Sequence, residues 1–254
     1  MRFASLGSGS RGNAGLIEEG RTRVLLDCGF SARETERRLA RLGVEPSALT
    51  AILITHEHAD HIGGAAVLAR RFKLPLWVTP GTRAQVPELA DVPGLALFNC
   101  HAPFALDGLE VRPFPVPHDA REPAQFVFGN GHRRLAVLTD AGHVTPHIGA
   151  VVDGCDGLLL ECNHDPEMLA GGPYPPALKE RVAGGHGHLS NGQAAALLEG
   201  LDTGRLQHVV AMHLSEKNNR PELARAALSA ALGCEPGWVT TAGQADGFEW
   251  RDLR

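Results

Sequence analysis

Apolar and polar positions repeat with two different periods along this chain, and the switches between them predict its elements. Val24–Asp27 is a short apolar run, VLLD, that ends at an acid. Ser31-Ala32-Arg33-Glu34 then has the S-x-x-E spacing of a capping box, ahead of an amphipathic stretch ending near Gly43, and predicts a helix. Ala51–Thr55, AILIT, is a continuous apolar run of the kind buried on both faces of a sheet. It runs straight into His56. Gly64–Phe72 is expected to be a helix and Leu76–Thr79 a strand. Leu109–Val116 alternates weakly and carries prolines, which predicts an edge or bent strand. Gln125–Gly129 and Leu135–Thr139 read as a hairpin around Asn130-Gly131, and Gly157–Glu161 as another strand. Ser190-Asn191-Gly192-Gln193 is a second capping box, opening a helix over Ala194–Gly200. His208–Met212 is a strand ending at His213, and Asn219-Arg220-Pro221-Glu222 opens a last helix to Leu232.

Strands and helices interleave along the whole length, which argues for an α/β layered fold. Four of the expected strands end at a polar residue: Asp27, His56, Asp140 and His213. A fifth, Val111–Pro117, leads into His118. In α/β architectures ligands bind where loops leave the C-terminal ends of strands, so these ends are expected to assemble one site.

Composition narrows the picture. With 43% hydrophobic and 21% charged residues the chain is globular. No apolar run approaches the ~20 residues that span a bilayer, and MRFASLGSGSRGN has no continuous apolar signal region. A cytoplasmic protein without membrane contact is therefore expected. Five scattered Cys with no C-x-x-C pair read as buried free thiols. A net charge of −5 argues against a surface built for non-specific nucleic-acid binding. The chain has 13 His, as many as its aromatics combined (9 Phe, 3 Trp, 1 Tyr), which raises the expectation of metal or proton chemistry.

That chemistry has a focus in His56-Glu57-His58-Ala59-Asp60-His61. Three imidazoles and a carboxylate within six residues cannot all face one way on a regular element. In a loop turning into a helix they can point inward from several directions, as ligands for two ions a few ångströms apart require. His and Asp suit zinc, with manganese and iron as alternatives. Pro117-His118-Asp119, Thr139-Asp140-Ala141-Gly142 and Met212-His213-Leu214-Ser215 follow downstream.

An H-x-H-x-D-H motif followed by a lone His, a lone Asp and a final His resembles the metallo-β-lactamase superfamily, along essentially the whole chain. The resemblance implies a single domain over residues 1–254. Its fold is implied to be an αββα four-layer sandwich, with a dinuclear metal site at one edge between the two sheets. It assigns His56, His58 and His118 to the first metal, and Asp60, His61 and His213 to the second, with Asp140 bridging. Asp27 resembles the strand-end Asp that braces the motif loop. The bridging Asp140 is not the Cys of the antibiotic-hydrolysing branch, and His58 is not the Glu of the oxygen-reducing diiron branch. The stretch from Asp140 to His213 is too short for the inserted domain of the RNase J and CPSF type, and no long tRNase Z-type arm is evident. Ser5-Leu6-Gly7-Ser8-Gly9-Ser10-Arg11-Gly12-Asn13 resembles the opening of the YycJ (WalJ, VicX) family. Glu161-Cys162-Asn163-His164-Asp165, Gly172-Pro173-Tyr174-Pro175, Gly187-His188-Leu189-Ser190-Asn191 and the words from His213 to Asn219 resemble it too. Arg11 and Ala14 are departures in the opening loop. The resemblance implies 5′-to-3′ exonuclease activity on double-stranded DNA.

The expected mechanism is attack on phosphorus by a metal-bridging hydroxide, with Asp60 binding the second metal and orienting that hydroxide. His164 is the expected general acid, because it resembles the non-ligand His of tRNase Z-like enzymes. His188 is the alternative, binding phosphate near a helix N-terminus. The Gly7–Asn13 loop is read either as a plain turn or as a nest of N–H groups around a phosphate. Ser8, Ser10, Asn13, Ser190 and Asn191 are the expected substrate contacts. Asn218 and Asn219 either cap the last helix or touch substrate. Arg33, Arg37, Arg38 and Arg41 make a charge run that reads first as a solvated face and second as a track for a DNA backbone. The alternative function is hydrolysis of a small ester, thioester, lactone or cyclic phosphodiester. With so few aromatics, nucleic acid is expected to be held mainly through its phosphates.

Overall fold

The computed structural model of the protein describes residues 1–254. Seven strands form the first sheet: β1 (Arg2–Gly7), β2 (Ala14–Glu19), β3 (Thr22–Leu26), β4 (Ala51–Leu53), β5 (Leu76–Val78), β6 (Leu95–Leu97) and β14 (Phe248–Asp252). Their order is β14-β1-β2-β3-β4-β5-β6. The second sheet holds β7 (Phe104–Leu106), β8 (Leu109–Pro115), β9 (Ala124–Gly129), β10 (Arg134–Leu138), β11 (Gly157–Glu161), β12 (His208–Met212) and β13 (Thr240–Thr241), in the order β13-β12-β11-β10-β9-β8-β7. Each sheet is half antiparallel and half parallel. In the first the change comes at β3, in the second at β10.

Alternation along the strands explains why the sheets stack. In β3, Val24 and Leu26 belong to one apolar cluster and Leu25 to another. In β10, Leu135 and Val137 share the cluster of Val24, while Ala136 and Leu138 lie in a third. Side chains pointing to opposite faces of a strand thus build three cores. One lies between the sheets. A second lies under α1 (Ala32–Arg41), α2 (Ala59–Ile62) and α3 (Ala65–Phe72), and a third under α5 (Pro146–Val152), α8 (Asn191–Glu199) and α9 (Pro221–Leu232). The order helix, sheet, sheet, helix is the αββα sandwich. Shorter helices α4 (Pro80–Gln85), α6 (Pro166–Gly171) and α7 (Pro176–Ala183) complete it. All five cysteines are free, and four are buried. No helix is long and apolar enough to cross a membrane.

Several expectations need correction. Leu109–Val116 is not an edge strand throughout: β8 lies between β7 and β9. The β7 pairing covers only Leu109–Val111, so Pro113 and Pro115 sit where β8 has a partner on one side alone. The missing proline donors are therefore not needed there. Ser31 accepts from the Glu34 N–H, but Glu34 does not reach back; its carboxylate holds Arg37 and Arg38 instead. The Ser190 capping box is complete, and its helix starts at Asn191 rather than Ala194. Asn219 does not cap α9, whose cap is Arg220.

Candidate metal centre

The strand ends converge as expected, and the backbone records the effort. Five non-glycine residues have positive φ, and three of them are Asp27, Asp140 and His213. Each stands at the end of a parallel strand in a left-handed conformation that Asp and His tolerate better than most residues, and such outliers cluster at functional sites. Gly29 backs the motif loop. A Cβ there would lie 1.7 Å from the Asp60 carbonyl oxygen, so only glycine lets that loop close.

Two groups of donors result. His58 Nδ1 lies 3.0 Å from His56 Nε2 and 3.2 Å from His118 Nε2. Asp60 Oδ2 lies 3.5 Å from His61 Nε2 and 3.4 Å from His213 Nε2. Asp140 joins them: it shares one group of donors with His56 and His61, all within 4.8 Å of one another, and its Oδ1 lies 3.6 Å from His213 Nε2. All seven expected ligands therefore meet in one place.

The outward nitrogens are held from behind. His56 Nδ1 meets Thr55 Oγ1 at 2.9 Å, and His61 Nδ1 meets Asp27 Oδ2 at 2.8 Å. His118 Nδ1 donates to the Gly187 carbonyl at 3.1 Å. His213 Nδ1 lies 3.5 Å from Glu161 Oε1. Partners of this kind fix the ring and leave the other nitrogen for a cation. Asp27 braces the loop as expected, accepting also from the Thr55 N–H at 2.9 Å. Asp140 Oδ2 is buried with no hydrogen-bond partner. A buried carboxylate oxygen without a donor, in a side chain set against the imidazoles of His61, His188 and His213, fits a divalent cation.

Electrostatics point the same way. Burial, and then the neighbouring imidazoles, hold His56 well below the ordinary value, and burial also lowers His118. These rings are neutral, as ligands must be. Burial would lower His61 and His213 too, but Asp140, followed by Asp27 for His61 and Asp60 for His213, reverses the direction. His213 is pushed up to about 10. The carboxylates here demand positive charge, from protons or from a metal. For the metal-free protein, His61 and His213 contribute stability that is complete below their unfolded value of 6.5 and is lost for His213 as pH rises through about 10. The thermal midpoint under chelator is expected to fall across that window. Metal affinity is expected to rise over the same window, as protons leave. Unfolding scans with and without chelator check both; a chelated protein that gains stability through it would contradict this charge balance.

A cavity of about 380 Å³ opens on the centre, with Ser10, Asp60, Asp140, His188, Tyr174 and Arg181 among its lining residues. Of the expected catalytic pair, His188 lines this cavity and His164 does not. His164 is 3% exposed, its Nδ1 lacks a partner, and its backbone bridges to Ser190. His188 Nδ1 meets Glu161 Oε1 at 2.7 Å, and although burial lowers its pKa, Glu161 raises it above the ordinary value. Glu161 is the functional residue that sequence reading missed. It is fully buried, and its Oε2 accepts from the Ala141 and Leu189 N–H groups. The signal was a carboxylate ending an all-apolar strand, as at Asp27.

Most expected substrate contacts turn inward. Ser8 Oγ accepts from the His213 N–H at 2.9 Å, and Asn13 Nδ2 reaches the Asp60 carbonyl at 3.3 Å, so both support ligands. Asn191 and Asn219 pair amide to amide at 2.9 and 2.8 Å. Ser190 caps α8. Nor does the opening loop form a phosphate nest. The N–H groups of Gly7, Ser8, Gly9, Arg11, Gly12 and Asn13 are all bonded within the protein. Ser10 alone remains at the cavity. The arginine helix spends most of its charge within the protein: Arg38 donates to the Leu6 carbonyl, Arg37 pairs with Glu34, and Arg41 with Asp246 and Glu249, which leaves Arg33 exposed and without an ion pair.

Compared with known families, residues 22–214 match the beta-lactamase superfamily domain. The chain is 35% identical over 255 residues to exodeoxyribonuclease YycJ of Bacillus anthracis, covering 99% of this chain and 95% of that one. It is 34% identical to exodeoxyribonuclease WalJ of Streptococcus pneumoniae serotype 2, covering 88% and 85%. Among solved structures it resembles the metallo-beta-lactamase fold protein YhfI from Bacillus subtilis, with a TM-score of 0.76, 16% identity and 99% of each chain covered.

Proposed function

The chain belongs to the beta-lactamase superfamily and, within it, to the family of the YycJ and WalJ exodeoxyribonucleases, and from that membership we propose a dinuclear metal-dependent phosphodiesterase that degrades double-stranded DNA from 5′ ends. The observation that carries the reading is the pair of buried donor groups joined by Asp140. His56, His58 and His118 would hold one ion, Asp60, His61 and His213 the other, and Asp140 would serve both. Nitrogen and carboxylate donors suit zinc first, with manganese or iron as alternatives. Residues 1–254 act as one hydrolase domain: β14 pairs with β1, and the centre draws on chain from Asn13 to His213.

When bound, two ions lower the pKa of water and neutralise charge on the phosphodiester oxygens. The residues do the rest. Asp60, held by Asn13 and by its own backbone against Asn13 N–H at 2.7 Å, orients the nucleophile. Glu161 fixes the His188 ring by one nitrogen and raises its proton affinity, so the other can give its proton to the leaving alkoxide. His188 takes over the acid role expected of His164, which supports the chain around Ser190. Ser10 is the remaining loop contact to substrate.

The metal-loaded protein assayed on bis-p-nitrophenyl phosphate and on an acyl thioester separates this reading from hydrolysis of a carbonyl ester. Cleavage of the phosphodiester alone is expected. Turnover of the thioester alone would overturn the assignment.

A further inference from the structure

Helix α7 buries none of its residues, yet it walls the cavity. Its place is fixed through backbone. The His188 N–H donates to the Val182 carbonyl at 2.9 Å, and a Cβ on Gly187 would lie 2.2 Å from the carbonyls of Arg181 and Val182. At the other end, Gly172 packs so closely on Asn218 that a Cβ would lie 2.5 Å from Asn218 Oδ1. Between these anchors runs Pro173-Tyr174-Pro175-Pro176, where prolines on both sides restrict the backbone. Tyr174 is the only tyrosine in the chain. It makes no side-chain hydrogen bond, and it is the one aromatic ring besides the imidazoles that faces the cavity. A rigidly presented, half-buried ring that neither packs the core nor bonds to the protein is placed for a ligand. Beside it, Arg181 is held through its Nε by Asp119 Oδ2 at 2.5 Å, while its Nη groups make no hydrogen bond or ion pair within the protein.

We infer that Tyr174 stacks on the base of the terminal nucleotide while Arg181 faces its phosphate, so that α7 selects strand ends over internal phosphodiesters. This rests on the nuclease reading. A cavity of about 380 Å³ takes one small molecule, which suits a single nucleotide. Stacking is indifferent to base identity, so end selection comes without sequence preference.

The test compares metal-loaded wild type, Tyr174→Ala and Tyr174→Phe on two duplexes that differ only at the 5′-terminal nucleotide, intact in one and abasic in the other. Wild type is expected to favour the intact end by about tenfold in kcat/KM, mostly through KM. In Tyr174→Ala that ratio falls towards one, and Tyr174→Phe restores it. Unchanged metal content and thermal midpoint establish that the variants fold. A wild type that treats both ends alike, or a Tyr174→Ala that keeps the full ratio, would overturn the inference and leave the nuclease reading standing. A wild type that cuts neither duplex but hydrolyses the thioester would overturn both.

Discussion

Asp140→Ala is expected to lower kcat/KM on DNA by at least about a thousandfold, because several kcal/mol of charge stabilisation depend on the ions and each ~1.4 kcal/mol is tenfold. Metal content, measured on the purified protein, should fall from two ions to one or none. The reason is geometric. Asp140 groups with His56 of one half and lies 3.3 Å from His61 and 3.6 Å from His213 of the other, and its Oδ2 has no hydrogen-bond partner. Asp140→Asn keeps the shape and loses the charge, so a comparable loss is expected from it. The metal-free variant should also lose the high proton affinity of His61 and His213, since Asp140 is the first charge that raises both. An Asp140→Ala protein carrying two ions at near wild-type activity would remove the bridging role.

The second large effect separates two histidines. His188→Ala should cost about a hundred- to ten-thousandfold in kcat, the usual range for a general acid, with metal content retained. Its pH profile should lose the alkaline limb, because the group that must stay protonated is gone. Glu161→Gln should shift that limb to lower pH, since Glu161 is what raises His188 against its burial. His164→Ala should leave kcat within a few-fold, because His164 is buried away from the cavity. The reverse pattern, with His164→Ala inactive at full metal content and His188→Ala active, would return the acid role to His164.

Why one histidine was legible and the other not is a matter of physics. The ligands announce themselves because four lie within six residues and the others end strands, where parallel sheets gather side chains. The direction of a lone polar side chain leaves no such mark. Ser8 and Asn13 looked like substrate contacts because they sit in a Gly-rich loop, and Asn191 because it stands at a helix N-terminus, yet all three turn inward. Close packing of the ligand loops leaves buried N–H and C=O groups that must be satisfied, and these side chains satisfy them. Glu161 hid at the end of a strand that otherwise reads as plain core. The strands β1 and β2 were missed because RFASLG and AGLIEE are covered on both faces and carry the small residues of turns. Three-residue strands such as β6 and β7 are too short to show a period. By contrast β11 and β12 were legible to the residue, being continuous apolar runs with sharp polar ends.

The most direct measurement is release of mononucleotides from a 5′-end-labelled DNA duplex by the metal-loaded protein, beside the same protein under chelator and beside single-stranded DNA and RNA. Metal-dependent release from the 5′ end of the duplex is the expected result. A protein carrying two ions that cleaves none of these nucleic acids, while turning over a carbonyl ester, would contradict it.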